Sequence, residues 1–230
     1  MQDGRMSIEV EAKADASPSA LRPTAATARG PDLRRMRYRA DIDGLRALAV
    51  LAVIAFHGFP QAVSGGFVGV DVFFVISGYL VSGLILGEIN EGRFSFIDFY
   101  RRRILRIFPA LSVVLAAVGI AGFFLMFPSE YKALGDYISA GAWFVSNIES
   151  ERRVGYFDSL SSAKPLLHLW SLAVEEQFYI IWPLLLSFAA LRRSAAQYVI
   201  AAVGVISFAI NVLGVSSHPI GTFYLLPSRL

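Results

Sequence analysis

The chain has 230 residues, of which 55% are hydrophobic and 17% charged, with a formal net charge of +3. That balance is far from a soluble domain's and points to a multi-span membrane protein. Cysteine is absent, which excludes thiol catalysis, disulfides and cysteine metal sites. His57, His168 and His218 are too far apart for a metal signature, so no metal is expected, and the clustered basic residues bear on membrane orientation rather than nucleic acid.

Residues 1–37 are rich in Ala, Ser, Pro and Arg without an apolar period, and read as a disordered basic cytoplasmic tail. Some 44 residues precede the first apolar run, too many for a cleaved secretory signal, so a retained anchor is expected. That run, Leu45–Phe59, follows Asp43 and carries Arg46 near its entrance and His57 near its far end. Eleven residues apart, the two share a helix face and are separated by roughly 16 Å along the axis. An ionisable residue in an apolar span is a candidate for a functional site. The plain alternative for His57 is a histidine hydrogen-bonded into a helix bundle.

A Gly-rich link without Lys or Arg, residues 60–71, leads to a second span, Val72–Leu86. Its Ser77, Gly78, Ser82 and Gly83 suit close helix packing; a site role for Ser77, Gly78 and Tyr79 stands beside that reading. Glu88–Pro109 interleaves Arg101, Arg102, Arg103 and Arg106 with aromatic and aliphatic residues. It reads as an interfacial basic segment. It also reads as a phosphate clamp, because Arg103 and Arg106 at i and i+3 share a helix face and guanidinium groups grip phosphate bidentately. Both readings can hold at once.

Ala110–Phe127 is a third span. Leu134–Ile148 is short, and is expected to dip into the membrane and return. Nine Lys/Arg up to Arg46, none in the first link and five in Glu88–Pro109 put the amino terminus inside, and a returning segment keeps Arg192 and Arg193 inside as well. His168–Ala190 then carries Glu175, Glu176 and Gln177 ringed by Trp170, Phe178, Tyr179 and Trp182. Adjacent carboxylates point about 100° apart on a helix, so one is a candidate buried acid or base while the other pairs or meets water. Ala195–Leu213 is the next span. Another is expected to begin near Phe223, so the chain reads as the front part of a longer protein.

Four stretches in this order resemble the acyltransferase 3 family of bacterial O-antigen, exopolysaccharide and peptidoglycan O-acetylases. They are Y-R-A-D-I-D-G-L-R-A-L-A-V-L-A-V-I-A-F-H, G-G-F-V-G-V-D-V-F-F-V-I-S-G-Y-L, F-Y-R-R-R-I-L-R-I-F-P-A and K-P-L-L-H-L-W-S-L-A-V-E-E-Q-F-Y. The resemblance covers Tyr38 to the end. It implies an all-α polytopic membrane bundle over residues 38–230, here incomplete, with about six to seven hydrophobic segments of an expected ten or so. It also implies a bacterial inner-membrane location, and in relatives of this style a following periplasmic hydrolase-like domain.

The activity it implies is transfer of an acyl group, usually acetyl from cytoplasmic acetyl-CoA, to a hydroxyl of a glycan or glycolipid acceptor across the lipid bilayer. The family's arginine-plus-histidine pattern falls on Arg46 and His57, its R-x-x-R motif on Arg103 and Arg106, its Ser-Gly-aromatic motif on Ser77, Gly78 and Tyr79, and its acidic motif on Glu175 and Glu176. His57, Glu175 and Glu176 are then the catalytic candidates. Arg46, Arg103 and Arg106 are the candidates for coenzyme phosphates, and Asp43, Ser77, Gly78, Tyr79 and Trp170 give substrate or structural support. A histidine is largely neutral near pH 7 and suits a general base, or takes the acyl group itself; Glu175 or Glu176 would orient it or bind the sugar. The competing class is a transporter or flippase for a small polar or glycolipid solute. Such a protein more often carries an internal repeat, and none is found here.

Overall fold

Helix α1, Ala40–Gly58, packs antiparallel against α2, Gly69–Asn90, and the register of that pair sets the depth of every candidate residue. The computed structural model describes residues 39–154, 165–190 and 195–230. The tail 1–37, Lys164, Arg192 and Arg193 lie outside the described residues. In α1, Asp41 and Asp43 occupy the first turn, where carboxylates favour the positive end of the helix dipole, and Pro60 follows its end. At Gly66 and Gly69 an added Cβ would overlap the carbonyl oxygens of Ala52 and Ala49, so the two backbones touch there. Of the small residues expected to allow close packing, Ser77 is buried and Ser82 accepts from Trp182, while Gly83 has open space around it.

Helix α2 ends in a Schellman turn: Gly92 takes a φ of 65°, its N–H donates to the Ile89 oxygen, and the Arg93 N–H donates to the Glu88 oxygen. Ser95 then caps α3, Phe96–Leu125, its hydroxyl accepting from the Asp98 N–H. This 30-residue helix runs straight through Pro109. The basic segment and the third span, expected as two pieces, are therefore one helix, and the arginines ride on its first turns.

The segment expected to dip and return is a helix, a break and a second helix. Helix α4, Pro128–Ala142, descends along α3; α5, Ser146–Val154, turns back so that Arg153 reaches both Asp136 and Glu149. At the break Phe144 has a φ of 54°, a conformation that costs a bulky side chain about 1–3 kcal/mol. Gln177 of α6, Leu169–Ala190, holds it in place: its amide N–H donates to the Phe144 oxygen at 2.8 Å and to the Asn147 side chain at 2.9 Å. Asn147, fully buried, donates to the Gln177 oxygen and to the Tyr224 backbone oxygen. Gln177→Leu is expected to destabilise the protein by about 1–3 kcal/mol, because the Asn147 side-chain oxygen and the Phe144 carbonyl lose the donor they share, while Asn147 keeps its bond to Tyr224. A shift in the unfolding midpoint of detergent-solubilised protein measures this, and an unshifted midpoint would refute it.

Helix α7, Ala195–Gly214, follows, then the short α8, Pro219–Tyr224, and a single 3-10 turn, Leu226–Ser228. The last segment thus folds back on α7 and α6 where a further span was expected to begin. Four stretches among the described residues are long and apolar enough to cross a membrane: Gly66–Asn90, α3, α6 and α7. Helix α1 is not among them, because Asp41, Asp43 and Arg46 fall within its 19 residues. On α7 only Ser207 is buried and most apolar side chains face outward, as on a lipid-facing helix, while Val203 packs against the core. The core joins α2, α3 and α6 through Val81, Ile85, Phe99, Tyr179, Trp182 and Leu186. Trp182 also donates from its indole N–H to Ser82 at 2.6 Å, the kind of interhelical hydrogen bond that holds bundles together where lipid is as apolar as the core.

Candidate functional site

The candidate residues gather at two depths. At the first, α3 leans on α6. The Arg103 guanidinium lies 3.8 Å from the centre of the Tyr179 ring and 5.5 Å from that of Phe99, a cation–π stack that fixes the direction of the charge. The Tyr179 hydroxyl donates to Glu175, four residues earlier, and Ser77 of α2 lies beside the same hydroxyl. Glu176 points about 100° away from Glu175, as adjacent helical positions require. It is buried within range of Arg103 and Arg106, and its Oε1 has no hydrogen-bond partner among the described residues. An orphaned buried carboxyl oxygen is costly unless something else pairs with it.

Arg102 is tied to Glu88 at 3.1 Å. Arg103 and Arg106 form no ion pair among the described residues, which leaves two guanidinium groups available to an anion. These residues fit a phosphate-bearing donor on charge and on donor geometry. Arg46 is not part of this cluster: it lies one helix away, its guanidinium 5.1 Å from the Phe73 ring centre.

At the second depth His57 sits on the last turn of α1. Its Nδ1 is 2.8 Å from the Val53 carbonyl oxygen. A carbonyl only accepts, so Nδ1 carries the proton and Nε2 presents a free lone pair. Helical register separates the two depths. Gly69 faces Ala49, Phe73 faces Arg46, and Tyr79 reaches Arg39, so Tyr179, beside Ser77, lies near the start of α1. His57 is roughly 25 Å further along. Of the two roles expected for Glu175 or Glu176, orienting His57 or binding the sugar, the first has no hydrogen bond behind it among the described residues: Glu175 accepts from Tyr179, and Glu176 lies only within electrostatic range of the arginines.

The remaining candidates divide. Ser77, Gly78, Tyr79 and Glu175 line a cavity of about 930 Å³ between α2, α6 and α7, with Phe178 and Trp182 on its wall. A Cβ added at Gly78 would meet the Phe178 ring at an ordinary 3.9 Å, so a glycine is not needed there to admit α6. Trp170 belongs to an aromatic cluster with Phe74, Phe223 and Tyr224 and lies under Arg229, which pairs with Asp71. Trp170 is buried there against Val174 and Leu226. Asp43 is exposed at the start of α1.

Sequence reading missed Tyr179 and the Asn147–Gln177 pair. For Tyr179 a signal existed, since it stands at i+4 from Glu175, one turn along the same face. For the amide pair none did, because 30 residues separate its members.

A helix bundle with four stretches apolar enough to cross a bilayer is the architecture of a membrane protein. The family described as an acyltransferase domain, acyltransferase 3, matches residues 39–229. The chain belongs to this family. It is 45% identical over 155 residues to "Putative O-acetyltransferase SAS0844" of Staphylococcus aureus, covering 66% of this chain and 25% of that protein. It is 44% identical over 154 residues to the peptidoglycan O-acetyltransferase OatA of Listeria monocytogenes, covering 64% of this chain and 24% of the relative. The chain thus spans about a quarter of the length of these curated relatives. No solved structure matches it.

Proposed function

We propose that this chain forms the front part of a membrane O-acetyltransferase that takes acetyl from cytoplasmic acetyl-CoA and delivers it to a glycan hydroxyl on the far side of the membrane. The observation that carries the reading is that two arginines without an ion pair among the described residues lie at one depth of the bundle and an imidazole with an open Nε2 at the other. The donor supplies an activated thioester and an anionic end. Arg103 and Arg106 receive the phosphates, with Tyr179 holding the Arg103 guanidinium flat. His57 accepts the proton of the acceptor hydroxyl at Nε2 while Val53 keeps the proton on Nδ1. The pantetheine arm extends on the order of 15–20 Å, and the reach of the arginine side chains adds several ångströms toward the histidine. Residues 1–37 are the cytoplasmic tail in this scheme and 38–230 the transmembrane part, so the arginines face the inside. The name of the Listeria relative favours peptidoglycan as the acceptor class.

The test is transfer of labelled acetyl from acetyl-CoA to cell-wall glycan in membranes carrying the complete reading frame. Label in the glycan supports the reading; solute uptake without label transfer would replace it with a transporter. Within that assay Arg103→Ala is expected to raise the KM for acetyl-CoA about ten- to a hundredfold, the worth of a charge-assisted phosphate contact. Arg102→Ala, which loses only its Glu88 pair, should leave that KM within about twofold. Equal effects of the two variants would refute the clamp.

A further inference from the structure

His168 ends the turn 165–168 that leads into α6, and lies more than a hundred residues from His57 in sequence. The structure brings the two imidazoles together with ring centres 4.5 Å apart and planes at 90°. Val53 already fixes one nitrogen of His57, and Phe56 closes a further side with ring centres 5.3 Å apart at 82°. An imidazole on the last turn of a helix would otherwise turn about its side-chain torsions, moving Nε2 by more than a catalytic geometry tolerates.

We infer that His168 is a positioning residue for His57: its ring packs edge-to-face against the His57 imidazole and limits the approach of the acceptor hydroxyl to the remaining open side. The inference rests on the acyl-transfer reading above and names a residue that reading does not use. No hydrogen bond joins the two rings among the described residues, so the effect is steric and orientational rather than a proton relay. His168 is itself held below the ordinary histidine pKa by the packing around it and by the neighbouring His57. The carbonyl of His168 accepts from the Ser171 hydroxyl at 3.2 Å, which ties the turn to the first turn of α6.

The experiment compares wild type, His168→Ala and His168→Phe in membranes carrying the complete reading frame. It reads acetyl transfer, and separately the rate at which diethyl pyrocarbonate modifies His57, followed by mass spectrometry. His168→Ala is expected to lower kcat about ten- to a hundredfold with the KM for acetyl-CoA unchanged, and to speed modification of His57 about threefold or more as its covered face opens. His168→Phe keeps the ring contact and should restore both readouts to within about threefold of wild type. Unchanged kcat in His168→Ala, or a His57 modification rate equal to wild type in that variant, would overturn the inference. A phenylalanine variant as impaired as the alanine one would overturn it too, and would give His168 a chemical role of its own. If wild type transfers no acetyl, the acyl-transfer reading fails by itself, and the modification rates still decide whether His168 covers His57.

Discussion

His57→Ala is expected to abolish measurable acetyl transfer, lowering kcat by about 10²–10⁴-fold while the protein level and the KM for acetyl-CoA stay near wild type. The size follows from what a positioned general base contributes, and the split between kcat and KM from the fold. His57 lies roughly 25 Å along the bundle from Arg103 and Arg106, so its loss leaves the phosphate end intact. His57→Gln sharpens the test. A glutamine side chain fills much of the same space but offers no imidazole to take a proton, so it should be as inactive as alanine. Wild type denatured rapidly at neutral pH, where an acetyl-imidazole survives longest, then separates the two chemical routes. Acetyl found on the His57 peptide by mass spectrometry marks a covalent carrier, whereas acetyl passing directly to the glycan marks a base. Full transfer in both variants would leave His57 as a packed helix residue.

The helical, membrane-spanning character of the chain is legible in the sequence because uninterrupted apolar runs between charged links leave the backbone few other ways to satisfy its hydrogen bonds. The family is legible from four motifs in order. Boundaries are less so. Nothing in local composition says that α3 continues from the arginines through Pro109; a proline four turns into a helix removes one hydrogen bond, and packing of Leu111 and Leu115 against α4 compensates. The break at Phe144 is invisible in the same way, since its strain is held by Gln177, a residue distant in sequence.

Within the candidate site, residue types were legible and their groupings were not. Arg103 and Arg106 share a face by helical spacing alone, and the divergence of Glu175 and Glu176 follows from the same geometry. Which element each carboxylate would face depends on how α6 is rotated against α2 and α3, and that is decided by Trp182, Tyr179 and Phe99 meeting in the core. Arg46 illustrates the converse. The resemblance implies a third phosphate ligand there, and the antiparallel register of α1 on α2 sets its guanidinium over Phe73, apart from Arg103 and Arg106.

That register is also where a single methyl group should do the most structural damage. Gly69→Ala is expected to undock α1 from α2. The new Cβ would overlap the Ala49 carbonyl oxygen and lie 2.9 Å from Val53 Cγ2, and a backbone oxygen cannot rotate away as a side chain does. Overpacking of this kind costs about 1–3 kcal/mol, against the roughly 0.5–1 kcal/mol that alanine gains over glycine within a helix. The consequence reaches the chemistry, because α1 carries Arg46 and His57, and the same displacement pulls His57 away from His168. Gly87→Ala, on the same helix with open space around the added methyl, is the control and should be neutral or slightly stabilising. Unfolding midpoints in detergent and acetyl transfer in membranes are measured for both. A Gly69→Ala protein as stable and active as Gly87→Ala would mean that α1 and α2 do not touch backbone to backbone, and the depth assigned to every residue on α1 would have to be redrawn.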